Sequence, residues 1–217
     1  MANKMKIAII GVGSVGAGLG ERLATVGHEV VFGVRPGRNV EDLLSRCAGR
    51  ASAALVPEAC EQSEVIFLAV PAAAAVETLE GAPVAGKVVV DCNNPVAWDD
   101  GPVWSPPPAG SVTAQLASRY PDARWVKGFS TFGSEFHRDP SLGGEGGIDV
   151  HLAGDDTEAK ETVAAIARGA GFQPLDVGPL RNAAALENLA VLWIHLALQG
   201  GHGRQIAFQL RRRPAAS

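Results

Sequence analysis

Residues 6–16 read KIAIIGVGSVG, and this stretch decides the fold. Its apolar run Ile7-Ala8-Ile9-Ile10 stops at a glycine, which is typical of a strand buried in a parallel sheet. Apolar residues then recur at spacings of three and four from Val15 to Val26, which predicts a helix with one buried stripe. The stretch therefore predicts a strand, a glycine-rich turn and a helix that follow one another directly.

Strands and helices continue to alternate as far as Asp91. Short turns join them, and this rhythm predicts an α/β fold of the Rossmann type with a doubly wound, mostly parallel sheet. We predict strands at residues 29–34, 52–55, 64–70 and 86–91, and helices at 39–48, after Pro57 and at 72–79.

The rhythm breaks after Asp91. Residues 94–110 contain five prolines, which predicts a surface segment without regular structure, and residues 139–147 predict an exposed glycine-rich loop. The remainder predicts further strands that extend the first sheet, and a small C-terminal helical cover. The predicted strands are 125–130, 148–153 and 172–177, and the predicted helices are 111–119, 156–170, 180–198 and a last short one ending near Leu210.

Composition excludes several classes of protein. The chain has 217 residues, 47% hydrophobic content and a net charge of −4, so it is globular and lacks the basic face of a nucleic-acid-binding protein. Residues 1–10 lack a signal-peptide pattern, and no stretch approaches the roughly 20 apolar residues of a membrane span. We therefore expect a cytoplasmic protein with neither a nucleic-acid nor a membrane partner.

The cysteine pattern favours reduced thiols and no metal site. The three cysteines, Cys47, Cys60 and Cys92, form no C-x-x-C pair, and the histidines are scattered. Cys92 lies near a predicted strand end, where it is either a small buried side chain or a residue that approaches a ligand.

The turn GVGSVG at residues 11–16 is typical of a dinucleotide-binding site because it follows a buried strand and opens a helix. Gly11 permits the tight turn, Gly13 lets the backbone approach a pyrophosphate, and Gly16 lets the helix pack on the strand. The helix N-terminus then offers free N–H groups to the anion. The alternative is a glycine-rich turn without a ligand.

The end of the second predicted strand indicates which dinucleotide is bound. Residues 32–38 read FGVRPGR, with no acidic residue where NAD-binding proteins usually carry one. Arg35 can hold a 2′-phosphate and stack on adenine, and Arg38 can assist, although both could also be ordinary surface arginines. The pattern predicts NADP(H) as the cofactor.

The ends of the later strands should line the rest of this site, because ligands of open α/β sheets lie outside the carboxyl ends of the strands. Asn93 and Asn94 either bind polar groups there or simply form a turn before Pro95. The predicted cofactor-binding residues are Gly11, Val12, Gly13, Ser14, Val15, Gly16, Val34, Arg35, Arg38, Ala69, Val70, Pro71 and Asn93.

At these residues the chain resembles the NADPH-dependent coenzyme F420 reductases (F420H2:NADP oxidoreductases). The matching stretches run through most of the chain in order: 9–16, 27–31, 33–35, 69–71, 126–131, 153–156 and 175–180. The resemblance implies an NADP-binding Rossmann domain, a C-terminal portion that completes a second-substrate pocket, and hydride transfer between nicotinamide and a deazaflavin. Such transfer depends on positioning and exclusion of water more than on an acid or base.

The chain departs from the family in four places. Val34 stands where the family often has Ser or Thr, Ser130 stands where relatives often have Asn, and residues 102–108 and 143–147 are not family features. Relatives with this fold include enzymes that use a flavin. The departures leave NADP in place and leave the small-molecule hydride acceptor open between F420 and a flavin.

The chain is predicted to be one unit, with a dinucleotide-binding core at residues 1–95. Residues 96–217 would supply the sheet extension, the acceptor pocket and the C-terminal helices. The candidate acceptor-pocket residues are Ser130, Thr131, Phe132, Gly133, Arg181 and Asn182.

Two other functions fit the same cofactor. One is an NADPH-dependent reductase of a small carbonyl or imine substrate, which needs a proton donor near the nicotinamide. Tyr120 has no lysine at catalytic helical spacing, which argues against short-chain-dehydrogenase chemistry, and Lys127 is the other candidate donor. The other is a non-enzymatic NADPH-binding sensor. A homodimer through the apolar helix around Trp193 is a further hypothesis, and burial of that helix within the monomer explains its composition equally well.

Overall fold

The computed structural model describes residues 4–143 and 146–213. Within these residues the strands are β1 Lys6–Ile10, β2 Glu29–Val34, β3 Ala51–Leu55, β4 Val65–Leu68, β5 Val88–Asp91, β6 Val96–Trp98, β7 Pro102–Trp104, β8 Arg124–Lys127, β9 Asp149–Leu152 and β10 Gln173–Asp176. The α-helices are α1 Ser14–Thr25, α2 Glu41–Ser45, α3 Val56–Glu61, α4 Ala75–Thr78, α5 Val112–Arg119, α6 Glu135–Arg138, α7 Thr157–Gly169 and α8 Ala183–Leu198. Short 3-10 turns precede α4 and α8, at Ala72–Ala74 and Leu180–Asn182.

Six parallel strands form the main sheet in the order β3-β2-β1-β4-β5-β8. Ile10 at the end of β1 pairs with Gly33 of β2 and with Leu68 of β4, so the carboxyl ends of these strands share one edge. The winding of the sheet reverses between β1 and β4, which makes this edge the switch point where ligands bind in such folds. The predicted Rossmann-type fold is confirmed.

Alternating side chains of β1 point into two separate cores. Ile7 and Ile9 lie in a core that includes residues of α1 and α7, whereas Ala8 and Ile10 lie in a second core with residues of α3 and α5. Because both faces of the sheet are covered, its central strands are apolar throughout rather than alternating with polar residues.

The turn from β1 into α1 depends on two glycines. Gly11 has φ +103°, and a Cβ there would lie 2.3 Å from the carbonyl oxygen of Ala69. A Cβ at Gly16 would lie 2.0 Å from the carbonyl oxygen of Gly11. The helix therefore packs on the strand at a distance that no side chain permits.

Residues 96–104 form a hairpin of β6 and β7, so the prediction of an irregular segment at 94–110 was wrong for this part. Pro102 is the first residue of β7, a position that tolerates proline. The indole Nε1 of Trp104 donates to Glu187 Oε2 at 3.1 Å. This contact joins residues far apart in the chain, so local composition could not reveal it.

The second half extends the main sheet by β8 alone. β9 and β10, predicted as further strands of that sheet, pair with each other in a separate parallel sheet. An antiparallel bridge between Lys127 and Ala153 joins this sheet to β8. Of the predicted glycine-rich loop, residues 144 and 145 lie outside the described residues.

The predicted last helix near Leu210 was wrong, because residues 199–213 contain no helix. Gly201 and Gly203 adopt positive φ and end the helical path after α8. The chain then folds back, and the Ile206 carbonyl accepts a hydrogen bond from Trp193 Nε1 at 2.7 Å.

α8 is the apolar helix of the predicted C-terminal cover. Its Trp193 is buried within the monomer, which accounts for part of the apolar character of the helix. In residues 4–143 and 146–213, no helix is long and apolar enough to cross a membrane.

A buried ion cluster fastens the second half of the chain to the sheet. Lys127 at the end of β8 has no solvent exposure, and its Nζ lies 3.1 Å from Asp91 Oδ2 and 3.7 Å from Glu187 Oε1. Asp91 ends β5 and Glu187 lies on α8. We call Lys127, Asp91 and Glu187 the Lys127 cluster.

Hydrogen bonds satisfy both carboxylates of the Lys127 cluster. Thr113 Oγ1 donates to Asp91 Oδ2 at 2.6 Å, and the backbone N–H of Val112 donates to Glu187 Oε1 at 2.9 Å. Burial raises the pKa of the Glu187 carboxyl. The cluster thereby connects β5, β8, the start of α5, α8 and, through Trp104, the hairpin.

Replacing Gly16 by alanine should destabilise the fold, because the new Cβ meets a backbone carbonyl that cannot move aside. We expect Gly16→Ala to lower the free energy of unfolding by about 1–3 kcal/mol in urea denaturation. Gly13→Ala is the matched control, since no atom lies within 4 Å of a Cβ at that position. Equal stabilities of the two variants would contradict the close approach.

Removing the charge of Lys127 should lower the free energy of unfolding by more than Gly16→Ala does. Lys127→Met leaves two buried carboxylates without their cation, so we expect a loss of about 3–5 kcal/mol at pH 8. Burial raises the pKa of the Glu187 carboxyl, and loss of the neighbouring cation raises it further, so this carboxyl takes up a proton in the folded variant. The difference in unfolding free energy between wild type and Lys127→Met should therefore become smaller as the pH falls towards 5.

The double variant Lys127→Met/Glu187→Gln removes one of the two stranded charges and should recover part of that stability. Urea denaturation of both variants at pH 8 and pH 5 checks these effects. Wild-type stability of Lys127→Met at pH 8 would show that the cluster is not an ion cluster in the folded protein.

Candidate functional site

A cleft of about 660 Å³ opens at the carboxyl edge of the sheet, over the switch point. Its volume is typical of a site for a small molecule or cofactor. Residues from every βα connection of the first half line it: Ile10, Gly11, Val12, Gly13, Ser14, Val15, Gly33, Val34, Arg35, Arg38, Val56, Ala69, Val70, Pro71, Ala72, Ala74, Thr78, Cys92, Asn93 and Asn94.

The predicted cofactor residues meet in this cleft. Every one of them lines it except Gly16, which lies behind it against Gly11. The cleft has two ends, which we name by their residues. The arginine end contains Arg35 and Arg38, and the strand end is formed by residues 69–71 and 92–94.

The start of α1 borders the cleft between these two ends. The first bond of the helix runs from the N–H of Ala17 to the Gly13 carbonyl at 2.8 Å, so the N–H groups of Ser14 and Val15 have no partner within the helix. A Cβ at Gly13 would meet open space, which leaves room for a ligand against the backbone. The geometry suits a pyrophosphate.

The arginine end carries positive charge without a counter-ion. The N–H of Arg38 donates to the Arg35 carbonyl at 3.2 Å, so one tight turn presents both exposed side chains. Neither guanidinium forms an ion pair with another described residue, and no Asp or Glu is among the lining residues. This end can bind a phosphate monoester.

At the strand end, Asn93 is held by three hydrogen bonds. Its backbone N–H donates to Asp91 Oδ1 at 3.0 Å, its carbonyl accepts from Lys127 Nζ, and its Oδ1 accepts from the N–H of Val70 at 3.0 Å. The third bond ties the loop after β4 to the turn after β5. The strand end is therefore fixed from the interior of the protein.

Several buried polar atoms at the strand end lack a partner among the described residues. They are Asn93 Nδ2, Asn94 Oδ1 and Ser130 Oγ. Such atoms are uncommon in folded proteins and are costly when they occur, so a group of them next to a cleft indicates hydrogen bonding that a ligand or a small rotation completes.

Cys92 lies in the wall of the strand end and is almost fully buried. Burial raises the pKa of its thiol, so the side chain is uncharged at neutral pH and behaves as a small apolar group. Its position is compatible with both sequence-based alternatives: Cys92 is a small buried side chain, and it also lines the cleft where a ligand would bind.

The candidate acceptor residues after β8 are largely buried. Thr131 and Phe132 are 3% and 7% exposed; the hydroxyl of Thr131 lies 3.1 Å from His151 Nδ1, and Phe132 stacks on Phe172. Ser130 is next to the cleft, because its carbonyl accepts from Asn94 Nδ2 at 2.7 Å.

Gly133, Arg181 and Asn182 do not line the cleft. Gly133 packs against Trp193, and Asn182 Nδ2 donates to the Val177 carbonyl at 2.5 Å. Arg181 is exposed in the 3-10 turn that packs beside β8 and α5. None of the six candidate acceptor residues lines the cleft, and their role stays a prediction.

A strained residue sets the direction of the chain after β8. Phe129 has φ +56°, which is unusual for a bulky residue, and it is buried among aromatic rings. Burial lowers the pKa of His137 to about 4, so the neutral imidazole can donate from Nε2 to the Phe129 carbonyl at 2.9 Å. This bond holds the turn that carries Ser130.

Sequence reasoning missed some lining residues and the supporting cluster. Val56, Ala74 and Thr78 line the cleft from α3, the 3-10 turn and α4, and no sequence motif marks them. The signal for Lys127 was its place in the stretch 126–131, but its carboxylate partners come from distant elements. In the described part of the chain, no group of three or more His, Cys, Asp or Glu residues is arranged to hold a metal.

The family model described as NADP oxidoreductase, coenzyme F420-dependent, matches residues 6–95. The F420-dependent NADP reductase of Methanothermobacter marburgensis is 29% identical over 215 residues, which cover 90% of this chain and 93% of that protein. The metalloreductase STEAP3 of Rattus norvegicus is 32% identical over 184 residues. That match covers 84% of this chain but 36% of STEAP3, so the chain spans about a third of that relative.

Solved structures agree with the sequence matches. A putative F420-dependent NADP-reductase from Arthrobacter sp. FB24 superposes with a TM-score of 0.84 at 28% identity, over 96% of this chain and 100% of that one. A reductive aminase from Aspergillus terreus in complex with NADPH has a TM-score of 0.65 at 21% identity over 92% of this chain and 63% of its own, and shares the fold. Residues 6–95 thus match the model of the coenzyme F420-dependent NADP oxidoreductases, and over most of its length the chain is similar to F420-dependent NADP reductases.

Proposed function

We propose that this protein transfers a hydride between NADPH and a deazaflavin, coenzyme F420, or a flavin-like acceptor. The observation that carries the proposal is the chemistry of the cleft wall. Among its described lining residues there is no Asp, Glu, His, Lys or Tyr. The Cys92 thiol in this wall is a poor proton donor, because burial raises its pKa. A wall of this kind suits positioning of two reactants, with an acceptor that takes hydride at carbon and exchanges protons with solvent.

NADPH, when bound, supplies the hydride, and the residues of the cleft hold it in place. The N–H groups at the start of α1 face the pyrophosphate, and Gly13 leaves the space for it. Arg35 and Arg38 at the arginine end would bind the 2′-phosphate. Val70 and Asn93 at the strand end would hold the nicotinamide.

The alternative function, reduction of a carbonyl or imine, is less well supported, because both of its candidate proton donors are engaged elsewhere in the protein. Tyr120 donates its hydroxyl to the Val76 carbonyl at 2.8 Å, and Lys127 has no solvent exposure. Neither residue lines the cleft. The likeness to the reductive aminase concerns the fold, and no feature of the cleft favours the sensor reading.

Three finer points remain predictions. They are the identity of the acceptor, a homodimer and a cytoplasmic location. The names of the relatives support the first, since they include F420-dependent NADP reductases and a metalloreductase. Light scattering at high protein concentration tests the second.

The acceptor is tested by mixing the purified protein with NADPH and oxidised F420 and following the deazaflavin absorbance. FMN, FAD and a panel of small ketones and imines are the parallel acceptors, and NADH replaces NADPH as the donor control. Fast bleaching of F420 with NADPH supports the proposal. NADPH binding without turnover of F420, FMN or FAD would overturn it, and turnover of an imine would favour the second reading.

Arg35 should decide the preference for NADPH over NADH. Removing a charged partner of the 2′-phosphate should cost a factor of about 10–100 in kcat/KM for NADPH, whereas NADH, which lacks that phosphate, should be nearly unaffected by Arg35→Ser. Arg168→Ser is the control, because Arg168 is an exposed arginine on α7 that does not line the cleft. An unchanged NADPH-to-NADH ratio in Arg35→Ser would remove Arg35 from the site.

Gly13→Ala separates binding from folding. Its Cβ has free space in the protein but occupies the room proposed for the pyrophosphate. We expect near wild-type stability and NADP+ affinity weakened at least tenfold, measured by calorimetric titration. Wild-type affinity in this variant would place the pyrophosphate elsewhere.

A further inference from the structure

The Lys127 cluster lies directly behind the strand end of the cleft. Lys127 Nζ donates to the Asn93 carbonyl, and Asp91, its ion-pair partner, accepts from the Asn93 N–H. One ion pair therefore holds both backbone polar groups of a residue that lines the cleft. Asn93 Oδ1 in turn accepts a hydrogen bond from the N–H of Val70, so the ion pair also restrains the other side of the strand end.

A cation at this position is an expensive way to stabilise a fold. Burying a lysine with two carboxylates carries a large desolvation cost, and apolar side chains of similar volume often serve stability as well or better. What the apolar alternative cannot do is donate a hydrogen bond to the Asn93 carbonyl. The charge lies immediately behind the cleft wall, since Lys127 Nζ donates to the carbonyl of the lining residue Asn93.

The Lys127 cluster also connects α8, the hairpin and the start of α5. Glu187, on α8, accepts from Trp104 of the hairpin and from the N–H of Val112 at the start of α5. Movement of α8 or of the hairpin therefore acts on Lys127, and through Lys127 on Asn93. The arginine end has no comparable link to these elements.

We propose that Lys127 is a positioning residue for the nicotinamide: paired with Asp91 and Glu187, it fixes Asn93 and Val70 so that the strand end is formed before the cofactor arrives. The proposal rests on the NADPH site proposed above. Lys127 itself does not touch the cofactor, because it is fully buried and does not line the cleft. Its effect passes through Asn93 and should be confined to the strand end.

The test compares Lys127→Met/Glu187→Gln with Glu187→Gln alone. Both variants lack the Glu187 charge, so they differ in the cation and its bond to Asn93, and the double variant avoids stranding two buried carboxylates. Lys160→Met is a further control, since Lys160 pairs with Asp176 outside the cleft. Two probes report on the two ends of the cleft. Calorimetric titration with 2′,5′-ADP reports on the arginine end, and the fluorescence lifetime of bound NADPH reports on how firmly the nicotinamide is held.

We expect the affinity for 2′,5′-ADP to stay within about twofold in all the variants. The lifetime of bound NADPH should fall towards that of free NADPH only in the double variant. The single-turnover rate constant for reduction of F420 should fall about ten- to hundredfold in the same variant, since small displacements of a reacting group have effects of this size. A loss of stability alone would lower the amplitude of the single turnover but not its rate constant.

Equal NADPH lifetimes and equal rate constants in Glu187→Gln and the double variant would overturn the positioning role while leaving the proposed function intact. Parallel loss of affinity for 2′,5′-ADP and NADPH would also overturn it, because the effect would then extend beyond the strand end. Failure of the wild-type protein to bind NADPH would overturn the proposed function and this inference together. If NADPH binds but F420 is not reduced, the proposed acceptor fails and the lifetime still decides the role of Lys127.

Discussion

Lys127 carries a positive charge into a part of the protein that water does not reach, and two carboxylates from different elements meet it there. A buried charge is tolerated only when its partners are in place, so β5, β8 and α8 have to assemble together around it. The hairpin and the start of α5 join through Glu187. The second half of the chain is fastened to the nucleotide-binding half at this point, immediately behind the cleft.

The opposite constraint operates at the start of the chain, where the fold depends on the absence of side chains. Gly11 and Gly16 let β1, the loop after β4 and α1 approach to distances that a single Cβ would prevent. The close approach directs the N-terminus of α1 into the cleft, and Gly13 keeps the space beside it open. Packing and the proposed anion site thus depend on the same short segment, but through different glycines.

The cleft lies between the Lys127 cluster and the glycine-rich turn, and its two ends differ in polarity and charge. Its arginine end is exposed and cationic, whereas its strand end is apolar and amide-lined, with a cysteine whose thiol is kept neutral by burial. The described wall of the cleft contains no Asp, Glu, His, Lys or Tyr. A protein of this kind contributes binding, alignment and shelter from water, and leaves the reactivity to the molecules that it brings together.

The sequence by itself determined the fold of the first half and the position of the phosphate turn. It did so because the apolar runs, the glycine spacing of residues 11–16 and the missing acid before Arg35 act locally, within one βα unit at a time. Twelve of the twenty described residues that line the cleft were among the predicted cofactor residues, whereas Val56, Ala74 and Thr78 carry no motif and were missed. The hairpin at residues 96–104, by contrast, was hidden by its prolines, since its support comes from α8.

Tertiary structure decided everything that depends on partners distant in sequence. It placed β9 and β10 in a separate sheet, left the six candidate acceptor residues outside the cleft wall, and made Lys127, a candidate proton donor, a buried ion-pair partner. None of this is visible in local composition, because a side chain's charge and hydrogen bonds depend on which residues surround it in space. For Lys127 those residues are Asp91 and Glu187, and only the folding of the chain brings the three together.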